Sequence, residues 1–250
     1  MLLKSMKYIT ILLSSVTQNE FFRNPKIKDL AFRIMEIKAS SKEFPKLIAL
    51  DDSNDSGKWF PASGSQEQMI ALWESSPARY NMGTAIEFPL ESINVDILRQ
   101  AFKFVTQQQP TLRTVVAIME GNKFMQKVLP ALDAESCLEL KVRSASNEEE
   151  LQSIIKEESQ FVFPLYDPPI VRGVVVNVAN GSDFLFLSQY HVGSDSWALV
   201  ILRKQILQAY MSIRSSGHVS EYLNMAAHPN FIDWTMWNRK CLHKFGREEE

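Results

Sequence analysis

The stretch Phe184-Leu185-Phe186-Leu187-Ser188-Gln189-Tyr190-His191-Val192-Gly193-Ser194-Asp195-Ser196-Trp197 decides how the rest of the chain is read. Its opening half is strongly apolar and reads as a buried strand. A histidine stands at the strand's exit, and an aspartate follows four residues later where a long helix begins. Junctions of this kind let a rigid scaffold present a side chain into a cleft. Histidine, with an ordinary pKa of about 6.5, suits proton transfer at neutral pH. Asp195 is able to orient a ring nitrogen, cap the helix or brace the turn. An isolated His-x-x-x-Asp is more commonly a structural pair than a catalytic one, so the residues alone leave His191 open between those roles.

Outward from this segment, elements of both kinds alternate. Upstream, Val171–Val178 is a second apolar strand, joined to the first through the turn dipeptide Asn180-Gly181. Downstream, Leu199, Leu202, Ile206, Ala209 and Ile213 recur at helical spacing. Ser146-Asn147-Glu148-Glu149 reads as a capping box opening a helix with Leu151, Ile154 and Ile155 inward. Leu138–Val142 alternates as a half-buried strand does. Thr114–Ile118 and Phe124–Val128 flank a hairpin turn at Glu120-Gly121-Asn122. Asn94 caps a helix whose Leu98, Ala101, Phe102 and Val105 share one face. Thr84–Phe88 reads as a strand, and Gln66–Trp73 as a short amphipathic stretch. The pattern predicts an α+β layer protein around a largely buried sheet.

Composition narrows the function classes. The chain has 250 residues, 45% hydrophobic and 22% charged, enough to bury a real core. A formal charge of -2 provides no basic field, which argues against nucleic acid as a partner. Cys137 and Cys241 lie far apart without CxxC spacing, so neither a disulfide framework nor a metal site is expected. No apolar run reaches the ~18 residues of a membrane span. Lys4 and Lys7 ahead of Tyr8–Leu13 resemble the start of a signal peptide. No small-x-small cleavage site follows, and a buried helix in a cytoplasmic protein is the expectation. The organisation expected is a helical segment over 1–42, a polar linker over 43–58 and a domain over 59–245.

Four ordered stretches carry a resemblance. Phe184–Trp197 is similar to the HHxxxDGxS signature of the condensation domains of nonribosomal peptide synthetases, members of the chloramphenicol-acetyltransferase-like superfamily. Pro61-Ala62-Ser63-Gly64-Ser65-Gln66-Glu67-Gln68-Met69 resembles that family's PLSPAQERLW, and Tyr80-Asn81-Met82 sits where its YN follows. Gln108-Gln109-Pro110-Thr111-Leu112-Arg113-Thr114 resembles RHExLRT. Phe231-Ile232-Asp233-Trp234-Thr235-Met236-Trp237-Asn238-Arg239 resembles YxDYAxWQR. At the other end, Glu20–Ala31 is similar to the FFxxPTIxxLA end of a peptidyl carrier domain, without the LGGxS loop that bears the phosphopantetheine serine. Residues 1–42 are therefore expected to be a carrier-domain remnant.

The resemblance implies a chloramphenicol-acetyltransferase-like lobe, a two-layer α/β sandwich with a mixed, largely antiparallel sheet. It implies amide formation between carrier-bound thioesters, with His191 as the catalytic residue. Tyr190 and Ser196 stand where the family has its first histidine and its glycine. Together with Asp195, Trp197 and Arg113 they would support the motif. Arg172, on the adjacent strand, is an available cationic neighbour for Asp195, or a routine strand-end residue. No cofactor-binding or metal-binding residue is implied. Substrates arrive on phosphopantetheine arms of partner carrier domains. The family's domains have two lobes, and the motifs here belong to the first. The further partner is expected to be a second condensation lobe, another synthetase module, or a second copy of the chain. The alternatives are an inactive fragment or docking module, and an oligomeric acyltransferase with its site between subunits.

Overall fold

The computed structural model describes residues 46–49, 55–88, 92–220 and 229–245. The carrier-like segment expected over 1–42 and much of the expected linker lie outside them. Two compact units divide the chain, Ala49–Ile232 and a second formed by Met1–Ile48 with Asp233–Glu250. The larger holds β1 (Trp59–Pro61), α1 (Gly64–Ser75), β2 (Asn81–Phe88), α2 (Val95–Gln108), β3 (Thr114–Met119) and β4 (Lys123–Val128). It continues with β5 (Leu138–Ala145), α3 (Glu148–Ser159), β6 (Val171–Val178), β7 (Asp183–Tyr190) and α4 (Ser196–Ser216). Helix α5 (Phe231–Phe245) follows, its first two residues belonging to the larger unit. Among the described residues no helix is long and apolar enough to cross a membrane.

A four-stranded sheet in the order β2-β7-β6-β5 forms the centre of the larger unit. β5 runs parallel to β6, and the other pairs are antiparallel. The valine-rich β6 and the aromatic-rich β7 are apolar on both faces, as strands covered on both sides must be. Side chains alternate across the sheet. Val171, Val175, Leu185 and Leu187 join a core with Leu98, Phe102 and Val105 of α2 and Leu202, Ile206 and Tyr210 of α4. Their neighbours Val174, Val176 and Phe186 pack instead with Leu151 and Ile154 of α3. The odd-numbered residues of β7 therefore face α2 and α4, a parity that decides which of them can reach the cleft described below. A second sheet, β1-β4-β3, is antiparallel throughout. Its Val116 shares a smaller core with Ile70 of α1, Phe163, Leu165 and Tyr190.

The mixed, largely antiparallel α+β architecture expected from the sequence is present. So are the β3–β4 and β6–β7 hairpins, with Asn180 of the second turn at a φ of 58°. Asn94 caps α2, accepting from the backbone N–H groups of Asp96 and Ile97 at 3.1 Å. Two local expectations shift. The cap of α3 is Asn147, one residue later than Ser146, because its side chain accepts from Glu150 N at 2.9 Å. The Glu150 carboxylate in turn accepts from Ser146 N at 2.7 Å. Strand β5 does not alternate cleanly: Leu138 and Leu140 pack on the main core, whereas Val142 is 50% exposed. β5 is the sheet's edge, where the covering elements run out.

Candidate active site

Strand β7 delivers the chain to the site. Its last residue, Tyr190, is 3% exposed, and its hydroxyl donates to the Met69 carbonyl at 2.9 Å. Burial, helped by the neighbouring Tyr80, raises the Tyr190 phenol to about 12, so it is a neutral hydrogen-bond donor at physiological pH. Immediately beyond, His191 N donates to the Tyr80 carbonyl at 3.1 Å. Gly193 N reaches back to Tyr190 O at 3.4 Å, closing the turn. These bonds hold the backbone on both sides of His191, while its imidazole stays exposed and makes no hydrogen bond to a described residue.

Asp195 settles as a cap. Its carboxylate accepts from Ala198 N at 2.7 Å and starts α4, a favourable place for negative charge at a helix N-terminus. The expected cationic neighbour is elsewhere: Arg172 is buried against Glu158 at 2.7 Å, bonds Glu139 as well, and stacks 4.0 Å above the Phe161 ring. Its position two residues into β6 turns it toward α3, the face of the sheet opposite α4.

The turn forms one side of a cleft of about 530 Å³. His191, Gly193 and Asp195 line it from the β7–α4 junction, with Ser65, Gln68 and Met69 from α1 and Thr111 from the turn after α2. Phe231 adds an aromatic edge. Asp195 is the one carboxylate among the lining residues, and no lysine or arginine lines the cleft. The four ordered stretches that carry the condensation-domain resemblance thus each contribute lining residues. His191 and Asp195 come together there; Tyr190, Ser196, Trp197 and Arg113 do not line it. Arg113 is buried and donates to Thr106 O at 3.1 Å, to Gln107 O at 3.4 Å and to Leu129 O. It satisfies carbonyls of the last turn of α2 and so fixes the turn that carries Thr111. Trp197 points outward, 76% exposed.

Sequence reasoning passes over Ser65, Gln68 and Thr111 as individual lining residues, although each sits inside a quoted motif. It also passes over Gln189, which lines a smaller recess of about 180 Å³ sharing Thr111, Gly193 and Ala198 with the cleft. The signal available is strand parity, since Gln189 lies two residues before His191.

Comparison with known proteins follows the same lines. The condensation domain family matches residues 58–250. The chain is 28% identical over 232 residues to the probable non-canonical nonribosomal peptide synthetase CymA of Salinispora arenicola, covering 91% of this chain and 3% of that protein. It is 25% identical over 200 residues to bacitracin synthase 1 of Bacillus licheniformis, covering 78% of this chain and 4% of that one. Among solved structures, the first condensation domain of the calcium-dependent antibiotic synthetase superposes with a TM-score of 0.64 at 14% identity, over 75% of this chain and 44% of that one. The starter condensation domain of the rhizomide synthetase RzmA, with C8-CoA, gives 0.62 at 13% identity, over 77% and 43%. The chain therefore spans a few per cent of the curated relatives and less than half of the solved domains. With a match that runs through most of its length, and with motifs that meet in one cleft, the chain belongs to the condensation domain family of nonribosomal peptide synthetases.

Proposed function

We propose that the chain supplies the histidine-bearing wall of an amide-forming site that joins two carrier-tethered thioesters. The observation that carries this reading is the placement of His191: its backbone is fixed by Tyr80 and by the Tyr190 turn, while its imidazole is left unpartnered on the cleft. In the reaction the acceptor amine attacks the donor's thioester carbonyl, the C–N bond forms, and the C–S bond breaks. His191 takes the proton that the amine loses, and the departing sulfur leaves as a thiol after regaining one. Apart from Asp195, whose carboxylate caps α4, and His191, no ionisable side chain lines the cleft, which suits uncharged thioesters whose tethers are the phosphopantetheine arms of partner carrier domains. Those arms belong to the substrates, and no residue of this chain is assigned to hold a cofactor or metal.

Among the described residues the cleft is only partly enclosed, and a preorganised site for a charged intermediate needs water excluded. Trp197, Val200 and Ile201 form an exposed apolar strip on the first turns of α4, next to the Ala198 rim. This favours a partner that covers it, and we assign that role to a second condensation lobe. The test is product formation by mass spectrometry from aminoacyl thioester donors and acceptors, using the chain mixed with a second lobe. His191→Ala is expected to lower the rate by about 10²–10⁴-fold, the usual range for a proton-transfer residue. An undiminished rate in His191→Ala would overturn the assignment of His191. No product with either protein would favour an inactive, docking role.

A further inference from the structure

The recess beside the cleft carries chemistry that the histidine does not explain. Gln189 is only 3% exposed, yet its side-chain amide makes no hydrogen bond to any described residue. An apolar group that filled the recess would leave this amide without a partner, which is costly. Strand parity turns it toward α2 and α4, into the recess of about 180 Å³. Leu112, Ile201 and Leu202 make the apolar part of the lining. On the side between the two helices, Gln109 donates to Gln205 at 3.4 Å. No acidic or basic side chain lines the recess. It has the room of about six liquid waters, enough for one side chain and too little for a whole thioester.

We propose that this recess is a specificity subsite, in which the Gln189 amide reads a neutral, amide-bearing side chain on one of the two thioester substrates. A carboxamide both donates and accepts, so a ligand amide can make two complementary hydrogen bonds with it. The aliphatic stem of the same side chain would lie on Leu112, Ile201 and Leu202. A carboxylate of equal size is rejected, since no cation is present to offset its desolvation. An aliphatic side chain of similar size is also disfavoured, because it leaves the Gln189 amide unsatisfied, the situation in which polar sites discriminate best. The inference rests on the cleft being where the substrates sit, and the test separates the two.

Binding of stable aminoacyl-pantetheine amides to the chain, measured by calorimetry, keeps the tether constant while the side chain varies. The glutaminyl probe is expected to bind about tenfold more tightly than the leucyl or glutamyl probe. Gln189→Leu and Gln189→Met each remove the amide at similar volume, and both are expected to erase that preference by weakening glutaminyl binding and strengthening leucyl binding. Thermal melting checks that at least one of them is folded. Equal weakening of all probes would mean that Gln189 touches the tether, and would overturn the side-chain assignment. Binding without preference in the unmodified protein, or no binding of any probe, would overturn it too. The reading of His191 stands or falls separately on the rate of His191→Ala.

Discussion

Tyr190 occupies the place of the family's first histidine, and its surroundings explain why a tyrosine serves there. The strand end needs a buried group that fills the small core beside Ile70 and Phe163 and also satisfies the Met69 carbonyl. A phenol does both. Tyr190→Phe keeps the ring and removes the hydroxyl's bond to that carbonyl, and should cost about 1 kcal/mol of stability at neutral pH, read by urea denaturation. The pH dependence follows from a folded pKa of about 12 against 10.0 when exposed. Below pH 10 the contribution of the buried neutral phenol is fully present. As pH rises toward 12 the unfolded chain ionises first, so stability falls across that window. Tyr190→Phe should show a shallower alkaline decline, and an unchanged slope would mean that the hydroxyl is not buried in solution. At this scale His191 and Asp195 are legible in the sequence, because a polar pair at the end of an apolar strand stands out. Gln189 is not, since within that strand it reads as one polar residue whose face depends on packing. Arg113 is legible as part of a motif, but its work on the carbonyls of α2 is not.

Among the elements, the contact of β5, β6 and α3 depends on a buried charge cluster. Arg172 and Glu158 are each almost fully buried and 2.7 Å apart, with Glu139 and the Phe161 ring completing the surroundings of the guanidinium. Removing Arg172 leaves the buried Glu158 carboxylate with only its longer pair to Arg143 at 3.3 Å, whereas replacing both with apolar groups leaves no buried charge behind. Arg172→Met is expected to destabilise the fold by about 3–5 kcal/mol, and the double replacement Arg172→Met with Glu158→Leu to recover most of that loss. Chemical denaturation of the three proteins decides it; a double variant as unstable as the single one would show that packing, not the carboxylate's loss of its nearest cation, sets the cost. The elements themselves are largely legible, since β6, β7, α2 and α4 each carry an apolar pattern long enough to identify. β1 escapes a sequence reading because three residues ending in proline show no period, and its pairing with β4 is a long-range fact. The exposure of Val142 depends on β5 being last in the sheet, which no local pattern announces. Arg172 looks like a strand-end residue because its partners come from elements 14 and 33 residues away.

For the whole molecule, the question is what completes the cleft. The solved condensation domains compared above superpose on this chain through only 39–45% of their own length, so each holds more than half of its chain outside the superposed part. The strip of Trp197, Val200 and Ile201 lies at the rim, where a further body of protein would cover apolar surface that is costly to leave in water. A Trp at the centre of a covered patch contributes disproportionately to association. Light scattering on the chain alone, and then mixed with a second condensation lobe, is expected to show a one-to-one complex. Trp197→Lys places a charge in the strip without touching the core and should weaken that complex by tenfold or more, while leaving the thermal midpoint within a few degrees. A defined homo-oligomer in the absence of the second lobe would instead assign the strip to a second copy, with the site built between the copies. A monomer that ignores the second lobe would separate the cleft from amide formation, because a single wall cannot hold water away from the imidazole of His191 and the thioester it would act on.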